Sequence, residues 1–169
     1  MDESTWGFIG VLAGAIVGAS ASIVTTILTS NNAVRLQQNT DSQEQIERAR
    51  TFQRETLLAV QNSLNDALHL MMKIYLADLG ANDKGAVWRK SHIDKDIDER
   101  NRVINSNLAV LTERIADDSL REELNRLRYN IAKASLAASR EEAEAVVTNT
   151  FDQAEPFIKH LGIVLRNQY

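Results

Sequence analysis

From Ser4 to Val34 the chain carries no ionisable side chain, a run of 31 residues. Within it, Trp6–Leu28 is apolar or small throughout. A helix over those 23 residues is about 35 Å long, enough to cross a hydrocarbon core of roughly 30 Å. The hydroxyls of Thr25, Thr26, Thr29 and Ser30 can return to carbonyls one turn back, so they do not disqualify the span. A cleavable signal peptide is the main competing reading, with Ala19-Ser20-Ala21 as its small-x-small site. Against it, the segment before the run holds Asp2 and Glu3 with no Lys or Arg, and the run continues past Ala21. A buried soluble helix fits less well than either. The expectation is a retained single-pass membrane helix in residues 1–30.

Every Lys and Arg of the chain follows residue 34, while the N-terminal flank carries two acids. The positive-inside tendency then puts the N-terminus outside and the body in the cytoplasm, with the cell (inner) membrane as the location. The bias is modest, because Arg48, Arg50 and Arg54 are interleaved with Asp41, Glu44 and Glu47. The absence of cysteine agrees with a reducing compartment and excludes disulfides and thiolate metal sites.

Glycine is concentrated in the apolar run. Gly10, Gly14, Gly18 and Ser22 recur every fourth residue and continue to Thr26, which sets small residues along one helix face. Such faces let backbones approach closely in lipid, where helices gain little from the hydrophobic effect. This face is read as a packing surface for a second copy, with another membrane protein as the alternative partner.

Beyond it the chain reads as helix. One proline and seven glycines are too few for the turns of an all-β fold. A polar juxtamembrane connector over 31–55 precedes a helical body over 56–169. Leu57, Val60, Leu64, Ala67, Met71 and Ile74 follow a 3-4 spacing, a seam for bundle packing or self-association. Leu58, Leu68 and Tyr75 widen it, and Ile46, Ala49 and Phe52 are placed to extend it backwards. No proline or glycine separates Ser22 from Leu79, so the membrane helix can continue into this one, although the polar connector could break it. The stretch Leu79–Gly85 is a stop, with Gly80 as the expected cap.

A second helix is expected over Ser91–Ala116, with Ile93, Ile97, Ile104, Leu108, Leu111 and Ile115 inward and Asp96–Arg100 and Asp98–Arg102 pairs outward. Asp117-Asp118-Ser119 supplies N-cap chemistry, and Ser119 with Glu122 fits a capping box for a third helix, whose inner side carries Leu120, Leu124, Leu127, Ile131 and Ala134. Ser139 with Glu142 fits a second box. Ala143, Val147, Thr150, Ala154, Phe157, Leu161 and Val164 line the face that follows, and Pro156 should kink that helix or restart it. The fold class is all-α: a single membrane helix, a long amphipathic helix and an antiparallel bundle of three to four helices.

Little in the chain points to chemistry. His69, His92 and His160 are the only histidines. His92 with Asp94, Asp96 and Asp98 is the one ligand-like cluster, and on a helix start those side chains diverge. No nucleophile elbow, zincin motif, Gly-rich phosphate loop or catalytic carboxylate pair can be singled out, so neither enzyme activity nor a cofactor is expected. The net charge of −4 argues against nucleic acid as a partner. Arg114, Arg121 and Arg128 recur every seven residues and could form an anion site, but solvated arginines paired with nearby acids are the plainer reading. Trp88 and Arg89 lie on the loop after the first helix, where they could anchor a partner or fold back over the bundle end.

The sequence therefore suggests a membrane-anchored, self-associating scaffold, adaptor or accessory subunit. Its partners would be the lipid bilayer, further copies of itself, and a membrane or cytoplasmic protein. An effector whose glycine-faced helix assembles a pore is the alternative. An anion- or nucleotide-sensing module built on the arginine row could feed either.

Overall fold

A computed structural model describes residues 3–89 and 95–169, with backbone only for residues 3–21, 23, 24, 27, 28 and 95. Four helices make up the described chain, and it contains no strand. They are α1 (Glu3–Asn82), α2 (Lys95–Arg114), α3 (Asp118–Leu136) and α4 (Arg140–Arg166). Two compact units result, Met1–Arg48 and Ala49–Tyr169.

In the first unit the backbone is helical from Glu3 onward, and the polar connector does not interrupt it. Every described side chain from Ser22 to Arg48 is exposed. Thr26 Oγ1 donates to the Ser22 carbonyl at 2.8 Å, and Thr40 and Ser42 make the same return bond one turn back. Among the described residues no helix is long and apolar enough to cross a membrane. The side chains of the Trp6–Leu28 run, except Ser22, Thr25 and Thr26, lie outside the described residues, and so does the glycine face at Gly10, Gly14 and Gly18.

The second unit is a four-helix bundle. Its register is fixed by long-range pairs. The Arg54 guanidinium stacks 4.8 Å from the Tyr169 ring centre at one end, and Asp83 pairs with Arg140 at 2.9 Å at the other, so α1 and α4 are antiparallel. Glu123 with His160 and Asn130 with Gln153 show the same for α3 and α4. Gln53 meets the end of α2, while Leu70 and Lys73 border a cleft with Ile97 and Arg100 near its start, so α1 and α2 are antiparallel too. The chain runs up, down, up and down with short turns, as a helical bundle allows.

The core is the set of positions picked out by the 3-4 spacing. Leu57, Val60, Leu64, Ala67, Met71 and Ile74 are buried together with Leu68 and Leu70. Leu108, Leu120, Leu124, Leu127, Ile131, Phe157 and Leu161 meet them from the other three helices, and Ile115 from the α2–α3 turn. Burial of each large side chain contributes about 1.5–3 kcal/mol. Thr112 and Thr150 are fully buried as well, and each returns its hydroxyl to its own helix, to Leu108 and Val146.

Several local expectations are corrected. Leu58 does not join the seam, nor do Ile46 and Phe52 extend it: each is more than a third exposed. Three partner helices cover only one side of α1. The cap that ends α1 is Gly85, not Gly80, which is still helical. Gly85 takes a left-handed φ of 89°, and the Ala86 N–H closes back on the Ala81 carbonyl at 3.0 Å, a Schellman arrangement. The observed α2 ends at Arg114, two residues earlier than expected; Ser91, Ile93 and the rest of its expected start, 91–94, lie outside the described residues. Arg102 pairs with Glu99 at 2.8 Å rather than with Asp98. Within the expected Asp117-Asp118-Ser119 segment the N-cap of α3 is Asp117, whose carboxylate accepts from the Leu120 N–H at 2.8 Å, and Ser119 donates to that carboxylate instead of boxing with Glu122. Ser139 caps α4 as expected, accepting from the Glu142 N–H at 3.2 Å. Pro156 does not restart α4, which runs on to Arg166.

Candidate functional site

The residues singled out from the sequence separate into three groups. The seam side chains Leu57, Val60, Leu64, Ala67, Met71 and Ile74 are spent inside one chain, covered by α2, α3 and α4. Gly10, Gly14 and Gly18 lie outside the described side chains, and of that face only Ser22 is seen, exposed. Of the remaining group, Trp88 and Arg89 sit at one end of the bundle, Arg114 and Arg121 at the other, and Arg128 midway along α3.

At one end, half-buried Trp88 stacks obliquely on Tyr75, with ring centres 6.2 Å apart and planes at 58°. Arg89 follows in a left-handed conformation, φ 62°, and its Nη1 donates to the Leu136 carbonyl at 3.2 Å. That carbonyl is among those left open at the end of α3, so Arg89 closes the helix from another part of the chain. With Asp83–Arg140 beside it, the loop after α1 is tied to the α3–α4 turn.

At the other end, Gln53 grips the α2–α3 turn with both ends of its amide. Its Nε2 donates to the Arg114 carbonyl at 2.9 Å, and its Oε1 accepts from the Ala116 N–H at 3.0 Å. Arg121 closes over the same turn, donating twice to the Ile115 carbonyl and pairing with Asp118 at 3.0 Å. Midway along α3, Arg128 is held by Asn125 at 3.0 Å, with Thr112 at 3.5 Å. The Arg114 side chain is exposed. The fork donors of Arg121 are thus directed at a turn carbonyl and a carboxylate. Hydrogen bonds from the Leu120 N–H and Ser119 hold the Asp117 carboxyl below its usual range.

A cleft of about 760 Å³ lies between α1 and α4. Leu68, Met72, Phe151 and Ile158 form its apolar walls, and His69, Asp152, Glu155 and Lys159 stand at its edges. Lys159 lies 2.6 Å from Glu155 and holds that carboxyl below its ordinary range. Among the described residues no group of three or more His, Asp or Glu could hold a metal ion. His92 and Asp94 of the ligand-like cluster lie outside them.

Sequence reasoning missed Gln53, the His160–Glu123 contact at 3.1 Å and the α1–α4 cleft. No local signal marks Gln53, which stands in a polar stretch, and Glu123 and His160 are 37 positions apart. Of the exposed apolar residues, Leu58 was read as widening the seam, and Phe151 and Ile158 fall outside the apolar face read for the fourth helix. Comparison with protein families, with curated proteins and with solved structures finds no match to this chain.

Proposed function

We propose that the protein is a single-pass, membrane-anchored helical scaffold or accessory subunit that self-associates. One observation carries this reading: 31 consecutive residues without an ionisable side chain precede a bundle that holds a complete core of its own. A cell gains from such an arrangement by keeping a rigid helical module at the bilayer and, through oligomers, in several copies. Gly10, Gly14 and Gly18 supply the face through which the membrane helices would pack. The N-terminus lies outside and the bundle in the cytoplasm.

The test is the mass of the detergent-solubilised protein together with the identity of whatever purifies with it. A homo-oligomer supports self-assembly, and a stable foreign subunit supports the accessory role. Gly14→Leu and Gly14→Ile should stay membrane-bound and lose oligomer size, whereas Ile16→Leu, placed off the small face, changes little. Unchanged size in both glycine variants removes that face from the account.

A second reading, a pore-forming effector, is favoured by the exposed hydroxyl groups that cluster around Ser22, Thr25, Thr26, Thr29 and Ser30. They supply only part of a wettable lumen. The scaffold reading expects no ion leakage from liposomes carrying the wild type, and leakage abolished by Gly14→Leu selects the effector.

A further inference from the structure

The α1–α4 cleft keeps apolar side chains at the surface of the bundle. Leu58, Leu76, Phe151 and Ile158 are each more than a third exposed, and Met72 is half-buried among them. Charges stand along the outer rim of α1, where Asp66 and Lys73 also border Asp96 and Arg100 of α2, and along the edge of the cleft on α4. α1 carries Glu55, Asp66 and Lys73, and α4 carries Arg166, Lys159 and Asp152, all exposed. The antiparallel register set by Arg54 on Tyr169 and by Asp83 with Arg140 brings these six level in three couples, each within about one helical turn. The couples are Glu55 with Arg166, Asp66 with Lys159, and Lys73 with Asp152. Each joins opposite signs.

We propose that this face binds the same face of a second copy of the chain, about a two-fold axis parallel to the helices. That operation lays α1 on α4 of the second copy. Glu55, Asp66 and Lys73 then meet Arg166, Lys159 and Asp152 of the second copy, twice over, around a strip formed by Leu58, Met72, Leu76, Phe151 and Ile158. An axis across the helices would instead lay α1 on α1 and bring Asp66 close to its own copy, a like-charge contact. The present partner of Lys159 is Glu155 on its own helix, an exposed pair that costs little to share.

The face is about 27 Å long from Leu58 to Leu76 and two helices wide, which places it among small interfaces. Contact of that size is weak between free molecules and is strengthened by a common tether, which raises the effective concentration. The pairing deepens the self-association proposed above and rests on that reading for its strength. Its geometry uses Ala49–Tyr169 alone.

The test uses two differently tagged copies of the full chain, extracted in mild detergent. Asp66→Lys with Lys73→Asp should lower co-purification at least tenfold and leave helix content and melting unchanged. Adding Asp152→Lys and Lys159→Asp to the same chain should restore it, because both couples regain opposite signs. The chain has no cysteine. Asp66→Cys with Lys159→Cys therefore places thiols on opposite rims within a copy and side by side between copies, and mild oxidation should give a disulfide-linked dimer. Co-purification that survives the α1 swap, a loss that the α4 swap does not restore, or the absence of that dimer overturns the proposal. Dissociation by Gly14→Leu but not by the α1 swap removes this face and leaves the membrane-helix reading. Dissociation by the α1 swap alone keeps this face and removes the glycine one.

Discussion

Residues 30–48 and residues 57–74 belong to the same helix, α1, yet different forces hold them helical. In the first stretch every side chain is exposed, and its support comes from surface contacts such as the Glu44–Arg48 pair at 3.0 Å and the hydroxyl bonds of Thr40 and Ser42. An exposed pair of that kind contributes a few tenths of a kcal/mol, and an isolated helix of this length is marginal in water. In the second stretch Leu57, Val60, Leu64 and Met71 are almost fully buried, each contributing about 1.5–3 kcal/mol. Helical pattern is common to both, and packing belongs to one. A bundle that folds through its own core needs nothing from the polar stretch before it, so that stretch can serve as a spacer.

The contrast can be broken most severely from the packed side. Leu64→Asp with Met71→Asp places two carboxylates in the core, at a cost of several kcal/mol, and should abolish the cooperative thermal transition. A persisting transition at an unchanged midpoint would mean that the seam is not the core. The matched change on the other side, Asn39→Pro, breaks the exposed helix locally at about 3 kcal/mol. It should leave the melting of the bundle where it was, as followed by the near-ultraviolet signal of Trp88 and Tyr75.

Smaller effects sharpen the comparison at the bundle's edge. Gln53→Ala removes two hydrogen bonds to the α2–α3 turn, for about 1–2 kcal/mol in chemical denaturation. Asp117→Ala removes the α3 cap, for about 1 kcal/mol at neutral pH. Because the folded state lowers the Asp117 pKa, this contribution is complete above the ordinary carboxylate value and fades as pH falls through the lowered one. The difference in stability between wild type and Asp117→Ala should therefore be flat above about pH 5 and shrink in stronger acid. A difference that grows on acidification contradicts the cap assignment.

The bundle positions were legible because burial repeats at the helical period: Leu120, Leu124, Leu127 and Ile131 could be read directly from spacing. The width of a seam could not, since Leu58 and Phe52 continue the apolar pattern and only the number of neighbouring helices decides that they stay exposed. Caps were legible in kind but not in place. Gly80 and Gly85 can both end a helix, and Asp117 and Ser119 can both start one. The choice depends on where α1 and α3 must stop to meet their partners. The α1–α4 cleft and the grip of Gln53 join residues distant in sequence, so they appear only once the antiparallel order is known. For the arginine row the plainer reading, pairing with a nearby acid, describes Arg121 with Asp118, but a seven-residue repeat does not reveal that the Ile115 carbonyl engages the same guanidinium.

The central claim is that a self-sufficient bundle is held at a bilayer by the uncharged N-terminal run. Membranes from cells expressing the full chain can be stripped with alkaline carbonate and floated through a density gradient, and the position of the protein read by antibody. The account predicts that the chain floats with the lipid after stripping, and that Asn39→Pro floats equally well. Recovery of the full chain in the carbonate supernatant would contradict it.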